Sequence, residues 1–226
     1  MSMGAAGNPT VAMMEAAFRH HGLAWRYVNM EVEPGALGEA VRGAKAMGFR
    51  GFNCSLPHKV TVIEPRGKTV VLFGAGGAAR AFAVELGLAG VKRMTVVNRS
   101  EGRGAELVKL LREKLGMEAE LVVWGGEYAI PEGTEMVING TSVGLYAPEE
   151  RLAVDVSTLV SGMVVADVVF SPVETAFLKE AAERGCVVLD GLGMLVNQGM
   201  VAVEYWTGVE PDGEVMRMAL EAAMGV

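Results

Sequence analysis

The sequence predicts an α/β protein, in which a doubly wound parallel sheet of the Rossmann type is joined to a smaller α/β domain. Three observations lead to this fold class. From residue 68 onward, short apolar runs alternate with segments of helical periodicity. A glycine-rich turn, Gly74–Gly77, separates one apolar run from an alanine-rich helix. Finally, 51% of the 226 residues are hydrophobic, as expected for strands that are buried on both faces.

The alternating pattern defines the elements of the larger domain. The predicted strands are Thr69–Phe73, Met94–Val97, Glu120–Val123, Met136–Ile138, Val164–Val168 and Val187–Leu189. The predicted helices between them are Ala78–Leu88, Glu101–Leu115 and Glu174–Arg184. Strands that alternate with helices pair in parallel, because each crossover helix returns the chain to the same end of the sheet.

The residues on either side of this segment predict the smaller domain. The N-terminal part gives helices at Thr10–His21, where Thr10 can act as the N-cap, and at Gly35–Met47, with strands at Trp25–Val32 and Gly51–Ser55. The C-terminal part gives helices at Leu195–Tyr205 and Glu214–Met224. We expect residues 1–65 to form a smaller domain on which residues 194–226 pack back, and residues 66–193 to form the larger domain.

Composition excludes several classes of function. The net charge of −7 and the absence of a basic stripe exclude a nucleic-acid partner. No apolar run is long enough to cross a membrane, and the first residues lack a charged segment before a hydrophobic one, so we expect no membrane partner. Cys54 and Cys186 lie in apolar runs, as reduced core thiols of a cytoplasmic protein do. We expect no metal site, and a monomer or homodimer.

The turn after the first strand of the larger domain carries the clearest functional motif. Its pattern G-x-G-x-x-A places small residues at Gly74, Gly76 and Ala79. In this motif the first glycine permits a tight turn, the second lets the backbone approach a pyrophosphate, and the third small residue packs helix on strand. The N-terminus of the following helix favours an anion. The pattern predicts a dinucleotide site.

The end of the next strand selects the cofactor. The sequence there is Asn98-Arg99-Ser100, where an NAD site would place an Asp or Glu for the ribose hydroxyl. Arg99 can pair with a 2′-phosphate, so the predicted cofactor is NADP. The alternative is an arginine on a solvated strand end, but the missing acid and the available guanidinium both favour NADP.

A second polar segment, Gly51–Lys59, follows a predicted strand of the smaller domain. Asn53 and Ser55 alternate onto one side of the strand and can bind hydroxyl groups, while Lys59 can bind a carbonyl oxygen or transfer a proton. Taken alone, these residues could equally satisfy the backbone of a turn, with Lys59 as a surface charge.

Six sequence motifs in order, spread over nearly the whole chain, resemble the shikimate dehydrogenase family. The matching stretches are Gly51–Lys59 (family G-x-N-V-T-x-P-x-K), Gly74–Ala81 (G-A-G-G-A-A-R-A), Asn98–Ser100 (N-R-T/S), Ile138–Leu145 (I-I-N-x-T-S/P-x-G-M), Asp167–Leu178 (D-x-x-Y-x-P-x-x-T-x-x-L) and Gly191–Gly199 (G-x-x-M-L-x-x-Q-G). Cys54, Ser55 and Phe170 depart from the usual Val, Thr and Tyr.

The resemblance implies NADPH-dependent reduction of 3-dehydroshikimate to shikimate, and the reverse reaction. It assigns Lys59 as the catalytic lysine. The implied substrate contacts are Asn53, Ser55 and Gln198, with Thr10 as the only hydroxyl in the stretch Gly7–Thr10. The implied cofactor contacts are Gly74, Ala75, Gly76, Gly77, Ala78, Asn98, Arg99 and Ser100, with Thr141, Ser142, Val143, Gly191 and Met194 towards the nicotinamide.

The chain also departs from the family between the lysine and the nucleotide turn. The family has a long helix, a strand with a substrate-binding Asn and a loop with the Asp that partners the lysine, whereas here Val60–Pro65 leads directly to Arg66. The family's paired serines, which bind the substrate carboxylate, have no match before Thr10. We therefore expect a discontinuity at Pro65–Arg66. A non-catalytic NADP-binding remnant or engineered deletion, and a dehydrogenase for quinate or a similar hydroxy acid, remain alternatives.

Overall fold

A computed structural model describes residues 9–30, 32, 36–51 and 65–225. The described residues divide into two compact units. One comprises residues up to 51 together with those from Leu195 onward, and the other runs from Pro65 to Met194. Residues 52–64, which include most of the motif Gly51–Lys59, lie outside the described residues.

The larger unit contains a six-stranded parallel sheet. Its order is β3-β2-β1-β5-β7-β8, so the chain reverses direction across the sheet between β1 and β5. The strands of this sheet are β1 (Thr69–Phe73), β2 (Arg93–Asn98), β3 (Glu118–Val123), β5 (Met136–Asn139), β7 (Val164–Asp167) and β8 (Val187–Leu189). A separate parallel pair joins β4 (Tyr128–Ala129) to β6 (Val154–Asp155). The long sheet has the strand order of a dinucleotide-binding Rossmann fold.

Both faces of this sheet are buried, as the apolar strands predict. On β1, Val70 and Leu72 pack with α3 (Gly77–Leu88) and α4 (Glu101–Leu115), whereas Val71 and Phe73 pack with α5 (Ala176–Glu183) on the other face. All four side chains are at most 1% exposed. Because successive side chains of a strand point to opposite faces, a continuous apolar run is what a sheet between two helical layers requires.

The smaller unit is built from helices α1 (Thr10–His20), α2 (Leu37–Ala46) and α7 (Gly213–Met224), with the C-terminal part of α6 (Gly191–Thr207). Its core is rich in methionine: a Cβ on Gly199 of α6 would meet Met13, Met14 and Met216 side-chain atoms at 2.6–3.2 Å. With glycine at this position, the ends of these methionine side chains approach the α6 backbone closely. Unbranched methionine side chains fill such irregular gaps well.

Glu15 of α1 holds the segment that follows this helix. Its carboxylate accepts hydrogen bonds from the Tyr27 amide at 3.1 Å and from the Arg26 guanidinium at 2.8 Å. The backbone hydrogen bond from Tyr27, followed by the contact with Arg26, lowers the pKa of Glu15 below its usual value. This contact links the helix to a segment that has no regular structure of its own.

The structure confirms the predicted fold class and corrects two expectations. Thr10 does not cap α1, because Pro9 is the N-cap and Thr10 is the first, buried, helical residue. No strand is assigned to residues 23–30, although Trp25–Val32 was expected to form one. A turn closed by the Lys68 amide on the Pro65 carbonyl (3.1 Å) leads into β1. The expected discontinuity at Pro65–Arg66 borders residues 52–64, which lie outside the described residues, and it stays a prediction.

Several predicted bounds also shift by a few residues. Helix α5 begins at Ala176 instead of Glu174, because the Thr175 hydroxyl caps it by accepting from the Leu178 amide. Helix α6 begins at Gly191 instead of Leu195, after Asp190 accepts a hydrogen bond from the Gly193 amide. Within the described ranges, no helix is long and apolar enough to cross a membrane.

Candidate functional site

The glycine-rich turn after β1 adopts the conformation that its sequence predicts. Gly74 has φ of +102°, a value that side chains with a Cβ rarely adopt. Its amide donates to the Val97 carbonyl of β2 at 2.9 Å. A Cβ at this position would lie 3.0 Å from the Gly140 carbonyl oxygen and 3.1 Å from Thr141 Cγ2. The turn therefore requires glycine both for its backbone angle and for its packing against the loop after β5.

The third small residue of the motif brings α3 close to the sheet. Ala79 is fully buried, and a Cβ added to Gly140 would meet the Ala79 Cβ at 2.9 Å and the Phe73 carbonyl at 3.0 Å. Helix α3 and the end of β5 therefore touch through their backbones. This contact places the N-terminus of α3 at the point where the sheet order reverses, the usual ligand position in open α/β sheets.

The N-terminus of α3 is open and has no capping side chain. Gly76 is the N-cap, with ordinary extended angles (φ −77°, ψ −172°), and no side chain bonds to the first turn. Gly76, Gly77 and Ala78 are exposed, and nothing lies within 4 Å of a Cβ added to either glycine. Ala75 differs, because it is buried in the core beneath the turn. Free amides at a helix N-terminus can bind a phosphate.

The end of β2 lies beside this turn. Phe73 pairs with Val97 in register, so Gly74 and Asn98 follow at the same edge of two neighbouring strands. The Asn98 side chain donates to the Ser100 carbonyl at 2.7 Å and shapes the turn into α4. Arg99 is exposed, and no carboxylate of the described residues pairs with its guanidinium. Arg99 can therefore meet an anion at this edge.

The loop after β5 is held by a buried amide. Asn139, 1% exposed, accepts hydrogen bonds from the Thr141 amide at 3.0 Å and from the Thr141 hydroxyl at 2.7 Å. The same hydroxyl accepts from the Val143 amide at 3.1 Å. Ser142 is exposed between them, and the Gly144 amide donates to Glu150 at 2.8 Å. The predicted nicotinamide-side residues thus lie on a loop with a defined conformation.

Asn139 is bonded in turn to a buried carboxylate at the end of β7. Asp167 is 3% exposed, and its Oδ1 accepts from Asn139 Nδ2 at 3.0 Å and from the Val169 amide at 2.9 Å. Its Oδ2 accepts from the Thr175 hydroxyl at 2.8 Å. Burial raises the pKa of Asp167, and the three hydrogen bonds oppose that effect. Asn139 and Asp167 lie in two of the family motifs, but their sequence pattern predicted no role for either side chain.

Gly191, at the start of α6, closes the same edge of the sheet. A Cβ here would overlap the Val169 carbonyl and lie 2.9 Å from the Phe170 amide nitrogen, so α6 starts against the loop after β7. Met194 is half-buried on the core beneath the turn. The loops after β1, β2, β5, β7 and β8 therefore lie at one edge of the sheet, and the predicted cofactor residues of this unit lie on or beside them.

Of the residues predicted to act on the substrate, the structure describes only Thr10 and Gln198. Asn53, Ser55 and the catalytic lysine Lys59 lie outside the described residues. Thr10 is buried in the first turn of α1, and Gln198 is half-buried on α6. The parts of the chain that the structure describes contain no cluster of three His, Cys, Asp or Glu side chains arranged to bind a metal ion.

The fold and the glycine turn define a protein with a Rossmann-type dinucleotide site. Residues 8–67 match the family model for the shikimate dehydrogenase substrate binding domain, and residues 191–221 match that for the shikimate 5′-dehydrogenase C-terminal domain. A shikimate dehydrogenase (NADP(+)) of Archaeoglobus fulgidus is 34% identical over 255 residues, covering 94% of this chain and 93% of that protein. The chain belongs to the shikimate dehydrogenase family, as the motifs predicted.

Two solved structures are similar over nearly the whole chain. The ligand-free 5-ketofructose reductase of Gluconobacter sp. strain CHM43 has a TM-score of 0.91 and 42% identity, covering 98% of this chain and 96% of that one. A shikimate dehydrogenase in complex with NADP+ has a TM-score of 0.83 and 29% identity, covering 98% and 93%. The alignment with the Archaeoglobus protein spans 255 residues, more than the 226 of this chain, so the relative contains residues that this chain lacks.

Proposed function

We propose that this protein is an NADP-dependent oxidoreductase that interconverts 3-dehydroshikimate and shikimate in aromatic amino-acid biosynthesis. The single observation that supports this most is the similarity, over more than nine-tenths of both chains, to a relative named shikimate dehydrogenase (NADP(+)). The unblocked N-terminus of α3 supports a dinucleotide as the cofactor.

The residues around the turn support NADP over NAD. Exposed Arg99 stands where an NAD site would have an acidic residue, and Asn98 next to it carries no charge. A guanidinium binds a phosphate through two parallel hydrogen bonds, whereas a ribose hydroxyl offers it no charge. We propose that the pyrophosphate lies on the amides of Gly76, Gly77 and Ala78, and that Ser100 completes the 2′-phosphate site.

The catalytic step is assigned to Lys59 on chemical grounds. Bound NADPH supplies the hydride for reduction of a carbonyl group. Lys59 would bind the carbonyl oxygen, stabilise the charge that develops there and donate the proton. Asn53, Ser55, Thr10 and Gln198 would bind the substrate hydroxyl groups. Residues 1–65 with 194–226 would form the substrate domain, and residues 66–193 the NADP domain.

A neutral keto sugar is a second candidate substrate. The observation in its favour is the 42% identity with a 5-ketofructose reductase, over 98% of this chain. The sequence before Thr10 lacks the paired serines that the family uses for the substrate carboxylate, and a keto sugar has no carboxylate to bind. Both candidates require the same chemistry, hydride transfer to a ketone beside hydroxyl groups.

The test is NADPH oxidation by the purified protein with each of three ketones: 3-dehydroshikimate, 3-dehydroquinate and 5-ketofructose. We expect turnover with 3-dehydroshikimate, and Lys59→Ala should abolish it while NADPH still binds. The matched control is Lys92→Ala, which removes an exposed lysine just before β2, at the end of that strand opposite Arg99, and should leave turnover unchanged. Turnover with 5-ketofructose alone would select the second candidate. NADPH binding without turnover of any ketone would select a non-catalytic NADP-binding protein.

A cytoplasmic monomer or homodimer completes the proposal. The described cysteine, Cys186, is a free thiol whose pKa is raised by burial, as expected for a reduced and unreactive residue. Size-exclusion chromatography with light scattering measures the oligomeric state, and a larger assembly would contradict this part of the proposal.

A further inference from the structure

The buried polar pair at the ends of β5 and β7 is not explained by packing alone. Asn139 and Asp167 are 1% and 3% exposed, at the ends of two neighbouring strands whose other residues are all apolar. Polar groups of this kind cost free energy to bury and are retained where their hydrogen bonds fix a geometry. The Asp167 carboxylate accepts hydrogen bonds from the Asn139 side chain, the Val169 amide and the Thr175 hydroxyl.

Asn139 passes this constraint to the loop after β5. Its carbonyl oxygen is turned to the loop because its amide nitrogen is bonded to Asp167. That oxygen accepts both hydrogen bonds from Thr141, and the Thr141 hydroxyl then accepts from the Val143 amide. The remaining substituent, the Thr141 methyl group, faces the glycine turn, 3.1 Å from where a Gly74 Cβ would stand.

We propose that Asn139, oriented by Asp167, is a positioning residue for the nicotinamide half of the cofactor. It fixes Thr141–Val143 against the glycine turn, so this inference rests on the proposed function. A dinucleotide spans the crevice where the strand order reverses, with its two halves on opposite sides. Arg99 follows β2 on one side of that point, and the Asn139 loop follows β5 on the other. Asn139 should therefore act on one half of the cofactor only.

The matched control for Asn139 is Thr175. Its hydroxyl also bonds to Asp167, but through the other carboxylate oxygen, and it caps α5 instead of bonding to Thr141 or Val143. Asn139→Leu and Thr175→Val each remove one donor to the same buried carboxylate while keeping a similar shape. If the network has only a structural role, both variants should affect stability and cofactor binding to a similar extent. A positioning role predicts that only Asn139→Leu changes cofactor binding.

The experiment measures dissociation constants by titration calorimetry for NADPH and for adenosine 2′,5′-bisphosphate, which lacks the nicotinamide half. In Asn139→Leu, the NADPH constant should rise roughly tenfold, the effect of losing a buried hydrogen-bonded contact, while the bisphosphate constant stays unchanged. Thr141→Val, which alters only the loop, should also raise the NADPH dissociation constant. This variant replaces Asn139→Leu in the test if Asn139→Leu does not fold. Thr175→Val should lower the melting temperature without changing either constant.

Three results would overturn the inference: unchanged NADPH binding in both loop variants, equal weakening of both ligands, or the same NADPH loss in Thr175→Val. These differ from a failure of the proposed function. If the wild-type protein binds neither NADPH nor the bisphosphate, the cofactor assignment itself is wrong and the inference is lost with it.

Discussion

Replacing Gly76 with alanine should separate cofactor binding from folding stability. Gly76 has backbone angles that alanine adopts without strain, and nothing lies within 4 Å of the added Cβ. Alanine is a poorer N-cap than glycine, but it restricts the unfolded chain, and these opposing effects are each at most about 1 kcal/mol. The melting temperature of the ligand-free protein should therefore change little.

Cofactor binding should respond much more strongly. The added methyl group stands on the surface where the pyrophosphate is expected to approach the backbone of α3. Loss of one charge-assisted hydrogen bond costs roughly 1.5–3 kcal/mol, or about 10–100-fold in the dissociation constant. At NADP concentrations about 100 times the wild-type constant, the ligand stabilises the protein by about 2.7 kcal/mol. For a chain of this size, that corresponds to a rise of roughly 5–10 °C in melting temperature.

A thermal unfolding assay with and without NADP measures both effects together. Gly76→Ala should keep the wild-type melting temperature without ligand, and NADP should raise it by only about 1–2 °C if the dissociation constant has risen about 100-fold. Gly43→Ala is the control: this helical position also has open space for a Cβ, but it lies in the smaller unit, on α2. It should retain the full NADP shift. A full shift in Gly76→Ala would refute the proposed pyrophosphate position.

Three further predictions test other parts of the structure. Arg99→Ala should raise the NADP dissociation constant about tenfold or more and leave NAD unchanged, because only NADP carries the 2′-phosphate; calorimetry that shows equal weakening for both would contradict this. Gly191→Ala should lower the free energy of unfolding by about 1–3 kcal/mol or more in denaturant titrations, because its Cβ would overlap the backbone of Val169; a wild-type midpoint would contradict the close contact. Glu15 has a folded-state pKa below its usual value of 4.5, so its stabilisation is present above that pH and is lost as the pH falls through the folded-state pKa. The melting-temperature difference between wild type and Glu15→Gln should therefore shrink on acidification, and a constant difference from neutral pH to below that pKa would contradict the assignment.

Local patterns predicted the elements of the larger unit well. Strand β1, helix α4 and strand β8 have the predicted bounds, because an apolar run between turn signals or a heptad-like apolar face determines each one locally. The strands β4 and β6 were not predicted, since a two-residue strand is too short to show any periodicity. The motif of the glycine turn also predicted its geometry, down to the tight packing of Ala79.

Two failures show what the sequence pattern does not contain. Side chains from Leu23 to Val28 do alternate between half-buried and exposed, which explains the predicted strand, but no ladder forms among the described residues there. Alternation describes burial, whereas a strand also needs a hydrogen-bonded neighbour. Likewise, Asn139 and Asp167 are 28 positions apart, and only the parallel pairing of β5 with β7 brings them together. No local spacing could have predicted that contact.

Transfer of deuterium from NADPH tests the central claim most directly. The protein would be incubated with NADPH that carries deuterium at the transferable position of the nicotinamide and with 3-dehydroshikimate, and the product analysed by mass spectrometry. The proposed function predicts shikimate that carries a single deuterium on the new alcohol carbon, and no labelled product with Lys59→Ala. Unlabelled or absent shikimate from a wild-type protein that binds NADPH would contradict the assignment of this chain as a shikimate dehydrogenase.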